Sequence, residues 1–187
     1  MTLKIYLAGP EVFLRDARQV LDAKAALARA YGFTPLCPGD LEIPPADSRR
    51  GMGQAISAID EHMMNMADAI IANLTPFRGL AADTGTAFEL GYMCAQGKRV
   101  YAYTNVADDH HERLLAYYQG NVREGDDGRK RGPDGLSLEN FDMVDNLMLQ
   151  GGIERRGGAV MVHRAAPDRL YSDLTAFEAC LKAISET

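Results

Sequence analysis

Apolar and polar positions form alternating blocks along the chain, and these blocks predict strands and helices in turn. Short apolar runs with the length and composition of buried strands lie at residues 4–8, 33–36, 69–74, 99–103 and 158–163. Apolar residues at helical spacing predict helices over about residues 13–31, 52–66, 86–96, 144–149 and 168–185. This alternation predicts parallel strands, right-handed crossovers and helices on both faces of one sheet. We expect one α/β domain over residues 1–187.

The stretch from residue 68 to residue 91 carries the most chemistry. A buried strand is followed by a loop that holds Pro76 and Gly79, and Asp83 or Thr84 then offers an N-cap oxygen for the next helix. Glu89 falls on the second turn of that helix. In open α/β sheets, ligands bind outside the carboxyl ends of the strands, which is where both acids lie. The alternative is that Asp83 only caps the helix and Glu89 is solvated.

Residues 105–140 interrupt the regular alternation. This segment is charged and rich in glycine, so we expect a surface excursion with a short helix at about 112–118. The His110–His111 pair within it is better explained as a solvated loop than as a metal site, because no further ligands cluster at suitable spacing. The helix after the excursion is expected to end at Gly151–Gly152.

Charge and composition exclude several function classes. The net charge is −6 with no basic tract, which argues against nucleic acid as a partner. No apolar run approaches the length of a membrane span, and the first strand begins too early for a signal peptide. Cys37, Cys94 and Cys180 form neither a disulfide framework nor a zinc pattern. We therefore expect a cytoplasmic protein.

Three motifs in register resemble nucleoside 2-deoxyribosyltransferases. They are Lys-Ile-Tyr-Leu-Ala-Gly-Pro-Glu-Val-Phe at 4–13, Asp-Thr-Gly-Thr-Ala-Phe-Glu-Leu-Gly at 83–91 with Gln-Gly-Lys behind it, and Asp-Asn-Leu-Met at 145–148. The likeness runs from residue 4 to about residue 150. It implies a flavodoxin-like (Rossmann-like) three-layer α/β/α fold with a five-stranded parallel sheet. It also implies an enzyme that exchanges purine or pyrimidine bases on 2-deoxyribose, without metal or cofactor.

The resemblance also implies catalytic roles. Glu89 matches the family nucleophile, Tyr6 the tyrosine that positions it, and Asp83 an aspartate at the sugar. Asp60 falls where some members hold an acid near the base. A carboxylate nucleophile suits base exchange, because two inversions through a glycosyl ester give net retention. From the residues alone, a tyrosine in the position of Tyr6 is more often core than ligand, and an acid in the position of Asp60 is more often a solvated helix residue.

Further residues are implied to bind the substrate. Gly9, Glu11 and Phe13 belong to the first motif. Asn146 and Met148 match residues that reach a neighbouring subunit's site, so the resemblance implies a homo-oligomer built from dimers with shared sites. Asn146 also has a simpler explanation as a helix cap.

Some features depart from the family pattern. The loop between residues 68 and 83 is longer than in some members, the 105–140 excursion matches no motif, and the chain ends in a polar helix tail. We therefore do not extend the C-terminal carboxylate role of some relatives to this chain.

Two alternatives to the transferase stay open. A deoxynucleotide N-hydrolase would send the sugar ester to water and bind a 5′-phosphate, but Glu11 in the first turn is expected to repel phosphate, and Arg78 is expected to be a solvated loop residue. A non-catalytic nucleoside-binding module is the second alternative, because a fold does not determine a function.

Overall fold

The computed structural model describes residues 2–186 and contains a five-stranded parallel sheet in the order β2-β1-β3-β4-β7. Its strands are β1 (Lys4–Ala8), β2 (Thr34–Leu36), β3 (Ala69–Asn73), β4 (Arg99–Thr104) and β7 (Val160–Val162). Its helices are α1 (Ala17–Ala30), α2 (Arg49–Met66), α3 (Thr84–Ala95), α4 (His110–Tyr117), α5 (Leu147–Glu154) and α6 (Thr175–Ser185). A two-stranded antiparallel sheet of β5 (Arg123–Glu124) and β6 (Lys130–Arg131) lies in the excursion. The predicted three-layer architecture is confirmed.

Helices cover both faces of the sheet, and the alternation along β1 decides which residue meets which layer. Ile5 and Leu7 pack into the core cluster that includes α1 and α6. Tyr6 and Ala8 point to the opposite face and pack with residues of α2 and α3. Every residue of β3 is buried, as its continuous apolar run predicts. Tyr6 is thereby directed at the helix that carries Glu89.

Several predicted helix boundaries were wrong at their amino ends, including that of α5, which begins at Leu147 and not at residue 144. The helix expected from residue 13 begins at Ala17, because Pro10 starts a separate 3-10 turn, Pro10–Phe13, and Leu14 is extended. Helix α2 begins earlier than expected, since Ser48 Oγ accepts the N–H of Gly51. The closing helix begins at Thr175 after another 3-10 turn, Pro167–Arg169.

Helix α5 does not end at Gly151–Gly152, so that prediction was also wrong. Asn146 caps the helix, which continues through both glycines to Glu154. A Cβ on Gly152 would lie 3.8 Å from Cys94 Sγ, so α5 passes close to α3 at this point, and Ile153 beside it is fully buried. Packing against α3 therefore outweighs the helix-breaking tendency of glycine, which is about 1 kcal/mol per residue.

The excursion is more ordered than a solvated loop. Asp109 and Glu112 form a capping box at the start of α4, two residues before the expected helix. Arg113 is nearly buried, and its guanidinium donates to the carbonyl oxygens of Leu80, Asp108 and Val144 at 2.6–2.9 Å. The excursion is thus fastened to the loop that follows β3.

Candidate active site

A cleft opens at the carboxyl ends of β1 and β3. Strand β1 lies between β2 and β3, so the strand that follows β1 in sequence is on one side of it and the later strands are on the other. Open α/β sheets bind ligands at the point where the strand order reverses in this way. The cleft has a volume of about 590 Å³. It is lined by Gly9, Val12, Phe13, Ala17, Arg18, Leu21, Pro38, Gly39, Ile43, Ile56, Asp60, Asp83, Gly85, Thr86 and Glu89.

Tyr6 and Glu89 are joined by a short hydrogen bond at this cleft. The Tyr6 hydroxyl donates to Glu89 Oε1 at 2.6 Å. Tyr6 is fully buried on β1, and Glu89 lies on the second turn of α3. Asp83 sets the start of α3, because its Oδ2 accepts the N–H of Thr86 at 3.0 Å. The cap and the strand together fix where the Glu89 carboxylate stands.

The surroundings of Glu89 disfavour its charged form. Burial raises the pKa of Glu89 to about 7, the Tyr6 hydrogen bond opposes that rise, and the charges of Asp60, Asp83 and Glu11 add to it. Burial and the adjacent carboxylate also raise the pKa of Tyr6 well above its ordinary value, so the phenol stays a donor. Near neutral pH, Glu89 is therefore poised between its acid and its nucleophilic form.

Asp60 is the second acid that faces the cleft and also borders the adjoining hollow beside Phe88. Burial raises the pKa of Asp60, which favours the protonated form more than in solvent. Asp83 lines the same cleft while its Oδ2 is held by Thr86. The structure thus brings Tyr6, Asp60, Asp83 and Glu89 together, and an ionised carboxylate beside a protonated one can perform acid–base and nucleophilic chemistry.

Glu11 does not face the cleft as an uncompensated charge, so that premise was wrong, and the preference for unphosphorylated nucleosides that was based on it stays a prediction. Its side chain is fully buried, and Oε1 lies 2.7 Å from Lys24 Nζ. Asn73 and Tyr103 donate to the same oxygen at 3.0 Å. Lys24 is fully buried as well, so the carboxylate is neutralised where it lies.

Sequence reasoning missed Lys24, although a signal was present. Lys24 lies on α1 one turn from Val20, Leu21 and Ala28, which are all buried. A lysine in the middle of an apolar stripe requires a buried anionic partner, and Glu11 is an acid close by in the sequence.

Phe13 and Gly9 line the cleft, as the first motif implied they would. The Phe13 ring is half exposed and stacks on Phe77 with the centroids 5.2 Å apart. Phe77 and Arg78 come from the loop after β3, and no motif pointed to them as neighbours of the site. The signal available was a phenylalanine a few residues after each of two strands, Phe13 after β1 and Phe77 after β3.

Asn146 and Met148 are absent from the described residues that line this chain's cleft. The Asn146 side chain caps α5 and donates to Glu139 at 2.7 Å, and Met148 is 69% exposed. The adjacent Asp145 is buried, and its Oδ2 accepts the N–H of Ala82 at 2.8 Å. Asp145 also lies 3.6 Å from Arg113. The third motif therefore braces the approach to Asp83 within the chain and presents Met148 outward.

Residues 2–186 contain neither a grouped set of metal ligands nor a helix that could span a membrane. In this part of the chain no three histidine, cysteine, aspartate or glutamate side chains are grouped to hold a metal ion. Over the same residues, no helix has the length and apolar character needed to cross a membrane.

The sequence is similar to a known protein family and to a protein from another organism. The family model described as nucleoside 2-deoxyribosyltransferase matches residues 5–148. A Schizosaccharomyces pombe protein described as uncharacterized is 30% identical over 169 residues, covering 84% of this chain and 80% of its own.

Solved structures show the same likeness. A 2-desoxiribosyltransferase from Leishmania mexicana matches with a TM-score of 0.68 at 30% identity, over 98% of this chain and 97% of that one. A conserved protein from Enterococcus faecalis V583 shares the fold with a TM-score of 0.62 at 18% identity, over 98% of this chain and 99% of its own.

Proposed function

The chain belongs to the nucleoside 2-deoxyribosyltransferase family, and we propose that it moves a 2-deoxyribosyl group from one nucleobase to another through an ester on Glu89. The observation that carries this proposal is the 2.6 Å hydrogen bond from Tyr6 to Glu89 at the cleft. A carboxylate held by one phenol and partly shielded from water is suited to attack an anomeric carbon.

Binding comes first in this mechanism. The apolar side chains of Leu21, Ile43 and Ile56 offer a slot for the base, and Glu89 and Asp83 lie where the sugar would rest. One Asp83 oxygen is held by Thr86, so the other is available to accept a hydrogen bond from a sugar hydroxyl. Apolar lining limits water around the reacting carbon.

The first chemical step breaks the glycosidic bond. The ionised Glu89 oxygen forms a bond to the anomeric carbon as the bond to the base breaks, and Asp60 donates a proton to the departing base. Its raised pKa makes Asp60 a better donor than an ordinary aspartic acid. The pair of acids therefore divides the work, one as nucleophile and one as acid.

The second step restores both acids. An incoming base attacks the anomeric carbon and displaces Glu89, while Asp60 takes up a proton from that base. Each step inverts the configuration, so the product retains the original one. A 2-hydroxyl would destabilise the oxocarbenium-like transition state, so deoxyribonucleosides are the proposed substrates.

We further propose that the working protein is a homo-oligomer built from two-fold dimers. Met148 on α5 is 69% exposed and Phe88 on the neighbouring helix α3 is 56% exposed, so covering both in a subunit interface would remove apolar surface from water. Asn146 and Met148 would then complete the sugar pocket of the partner subunit.

Base exchange is the direct test. The protein is incubated with thymidine and adenine, and the mixture is separated by chromatography. New deoxyadenosine is the expected product, and Glu89→Ala should abolish it while the matched control Glu124→Ala, an exposed acid on β5, does not. Free deoxyribose without new nucleoside would support a hydrolase. Neither product would leave only a binding function.

A mass spectrum tests the ester itself. After incubation with a deoxynucleoside and no acceptor base, intact wild-type protein should carry one deoxyribosyl adduct, which free base removes. An adduct on Glu89→Ala protein would contradict the assignment of the nucleophile.

A further inference from the structure

Arg78 lies over the aromatic wall of the cleft. Its guanidinium carbon is 5.1 Å from the centroid of the Phe13 ring and 4.8 Å from that of Phe77. Phe13 lines the cleft and stacks on Phe77. A guanidinium at this distance is attracted to the ring faces, so Arg78 is held at the rim of the site.

The donors of Arg78 are open. Within residues 2–186, no carboxylate lies within 4.0 Å of its guanidinium, and the guanidinium donates no hydrogen bond. Arg18, which lines the cleft, differs in having carboxylate partners, because its guanidinium is paired with Asp22 and Asp40. Arginine carries five N–H donors arranged to match the oxygens of a carboxylate or phosphate. Arg78 therefore combines a fixed position with unused donors.

The backbone at Arg78 adopts an unusual conformation that hydrogen bonds of the surrounding loop hold in place. Its φ is +53°, in the left-handed region that is unfavourable for a non-glycine residue. Three hydrogen bonds brace the loop around it: from Phe77 N–H to Ala81 O at 3.0 Å, from the Tyr171 hydroxyl to Pro76 O, and from Arg113 to Leu80 O. These contacts hold the loop in a conformation that its sequence alone disfavours.

Topology places the loop that carries Arg78 on the opposite side of β1 from the loop that carries Ile43. Pro38 and Ile43, in the loop after β2, lie on one side of β1, whereas Arg78 follows β3 on the other side. If the base occupies the apolar slot and the anomeric carbon lies over Glu89, the far end of the sugar ring points toward the loop after β3. That end carries the 5′ carbon.

The charge that was expected to repel a phosphate is buried and paired with a cation, and of the three carboxylates that act on Glu89 it has the weakest effect. Lys24 neutralises Glu11 beneath the first turn. A 5′-phosphate would therefore meet Arg78 at the rim, and not a bare carboxylate after β1.

We propose that Arg78, seated on Phe13 and Phe77, forms an anion subsite that binds the 5′-phosphate of 2-deoxynucleoside 5′-monophosphates, so that these are substrates beside the free nucleosides. The inference rests on the proposed function for the placement of the sugar over Glu89. It reverses the preference for unphosphorylated nucleosides that the sequence predicts from Glu11.

Equilibrium binding tests the subsite independently of turnover. Glu89→Gln protein, which cannot form the ester, is titrated with thymidine and with thymidine 5′-monophosphate by calorimetry. The monophosphate should bind at least as tightly as thymidine, and added Arg78→Gln should weaken the monophosphate about 10- to 100-fold more than thymidine. The matched control is Arg123→Gln, an exposed arginine on β5, which should keep the ratio of the two dissociation constants.

Two further measurements sharpen the outcome. Arg78→Lys should recover only part of the monophosphate affinity, because an ammonium lacks the paired donors of a guanidinium. In active protein, the ratio of kcat/KM for the monophosphate to that for thymidine should fall in Arg78→Gln. Equal losses for both ligands, or monophosphate binding at least tenfold weaker than thymidine binding in the unaltered subsite, would overturn the inference. Because binding is measured without the ester, a failure of base exchange would not be mistaken for a failure of the subsite.

Discussion

Tyr6→Phe isolates the effect of one hydrogen bond on the nucleophile. The ring stays in the core, where Tyr6 is fully buried, and only the hydroxyl that donates to Glu89 is removed. A hydrogen bond to a charged group contributes about 1.5–3 kcal/mol, and 1.36 kcal/mol corresponds to one pKa unit. Without this hydrogen bond, burial still disfavours the charged carboxylate, so the pKa of Glu89 should increase from its value of about 7.

The pH dependence of kcat/KM reports this change, because it follows the ionisation of the free enzyme. Wild-type activity should rise through about pH 7 as Glu89 ionises. In Tyr6→Phe this acidic limb should move up by about one to two pH units, with a roughly 10- to 100-fold loss below pH 7. Much of that loss should be recovered in alkaline solution.

Tyr117→Phe is the matched control, since Tyr117 is 65% exposed and far in sequence from the cleft motifs. It should leave the limb in place. An acidic limb of Tyr6→Phe that stays at the wild-type pH, or moves lower, would refute the view that Tyr6 stabilises the charged form of Glu89. A uniform loss at every pH would assign Tyr6 to orientation of the carboxylate and not to its ionisation.

Three other outcomes are expected. Because the folded pKa of Glu89 is about 7 and its ordinary value is 4.5, stability should fall as pH rises between these values. Glu89→Gln should therefore be more stable than wild type in denaturant at pH 8, by up to about 3 kcal/mol, and equal to it below pH 4. Asp145→Ala should lower stability by about 3–5 kcal/mol in thermal or denaturant unfolding, since it leaves the buried Arg113 without its carboxylate, and a loss under 1 kcal/mol would contradict this. Mixing inactive Glu89→Ala with inactive Asn146→Ala subunits should restore part of the exchange activity if sites are shared, whereas verified mixed dimers without activity would exclude sharing.

Local signals made much of this fold predictable. The apolar run of β3 and the N-cap oxygen of Asp83 lie next to the elements they specify, so strand, loop and helix follow from neighbouring residues. The alternation along β1 similarly separates Tyr6 from the opposite face of the sheet. Residues whose partners are close in the chain can be placed from the sequence.

The remaining features depend on tertiary contacts, which form only when separate helices, strands and loops pack together. Glu11 looked like an exposed acid because Lys24 meets it only after α1 has folded back over β1. The Gly151–Gly152 pair looked like a stop because the packing of α5 against α3, which passes close at Gly152, is a tertiary effect. Arg78 is exposed, as the sequence predicts, but its contacts with Phe13 and Phe77 could not be predicted because the two rings come from different loops. Pairing and packing of this kind leave little local trace.

The connection between β4 and β7 also bears on how the length of this fold can change. It spans residues 105–159, about twice the 74–98 connection between β3 and β4. The entropic cost of closing a loop grows only with the logarithm of its length, so each doubling of the number of residues in a flexible connection costs about 0.6 kcal/mol. Arg113, near the start of the connection, and Asp145, nearer its end, contact each other, and the β5–β6 hairpin lies between them in the sequence. Descendants of this chain can therefore gain or lose residues in the hairpin at little entropic cost, while the sheet and the acids at its edge stay unchanged.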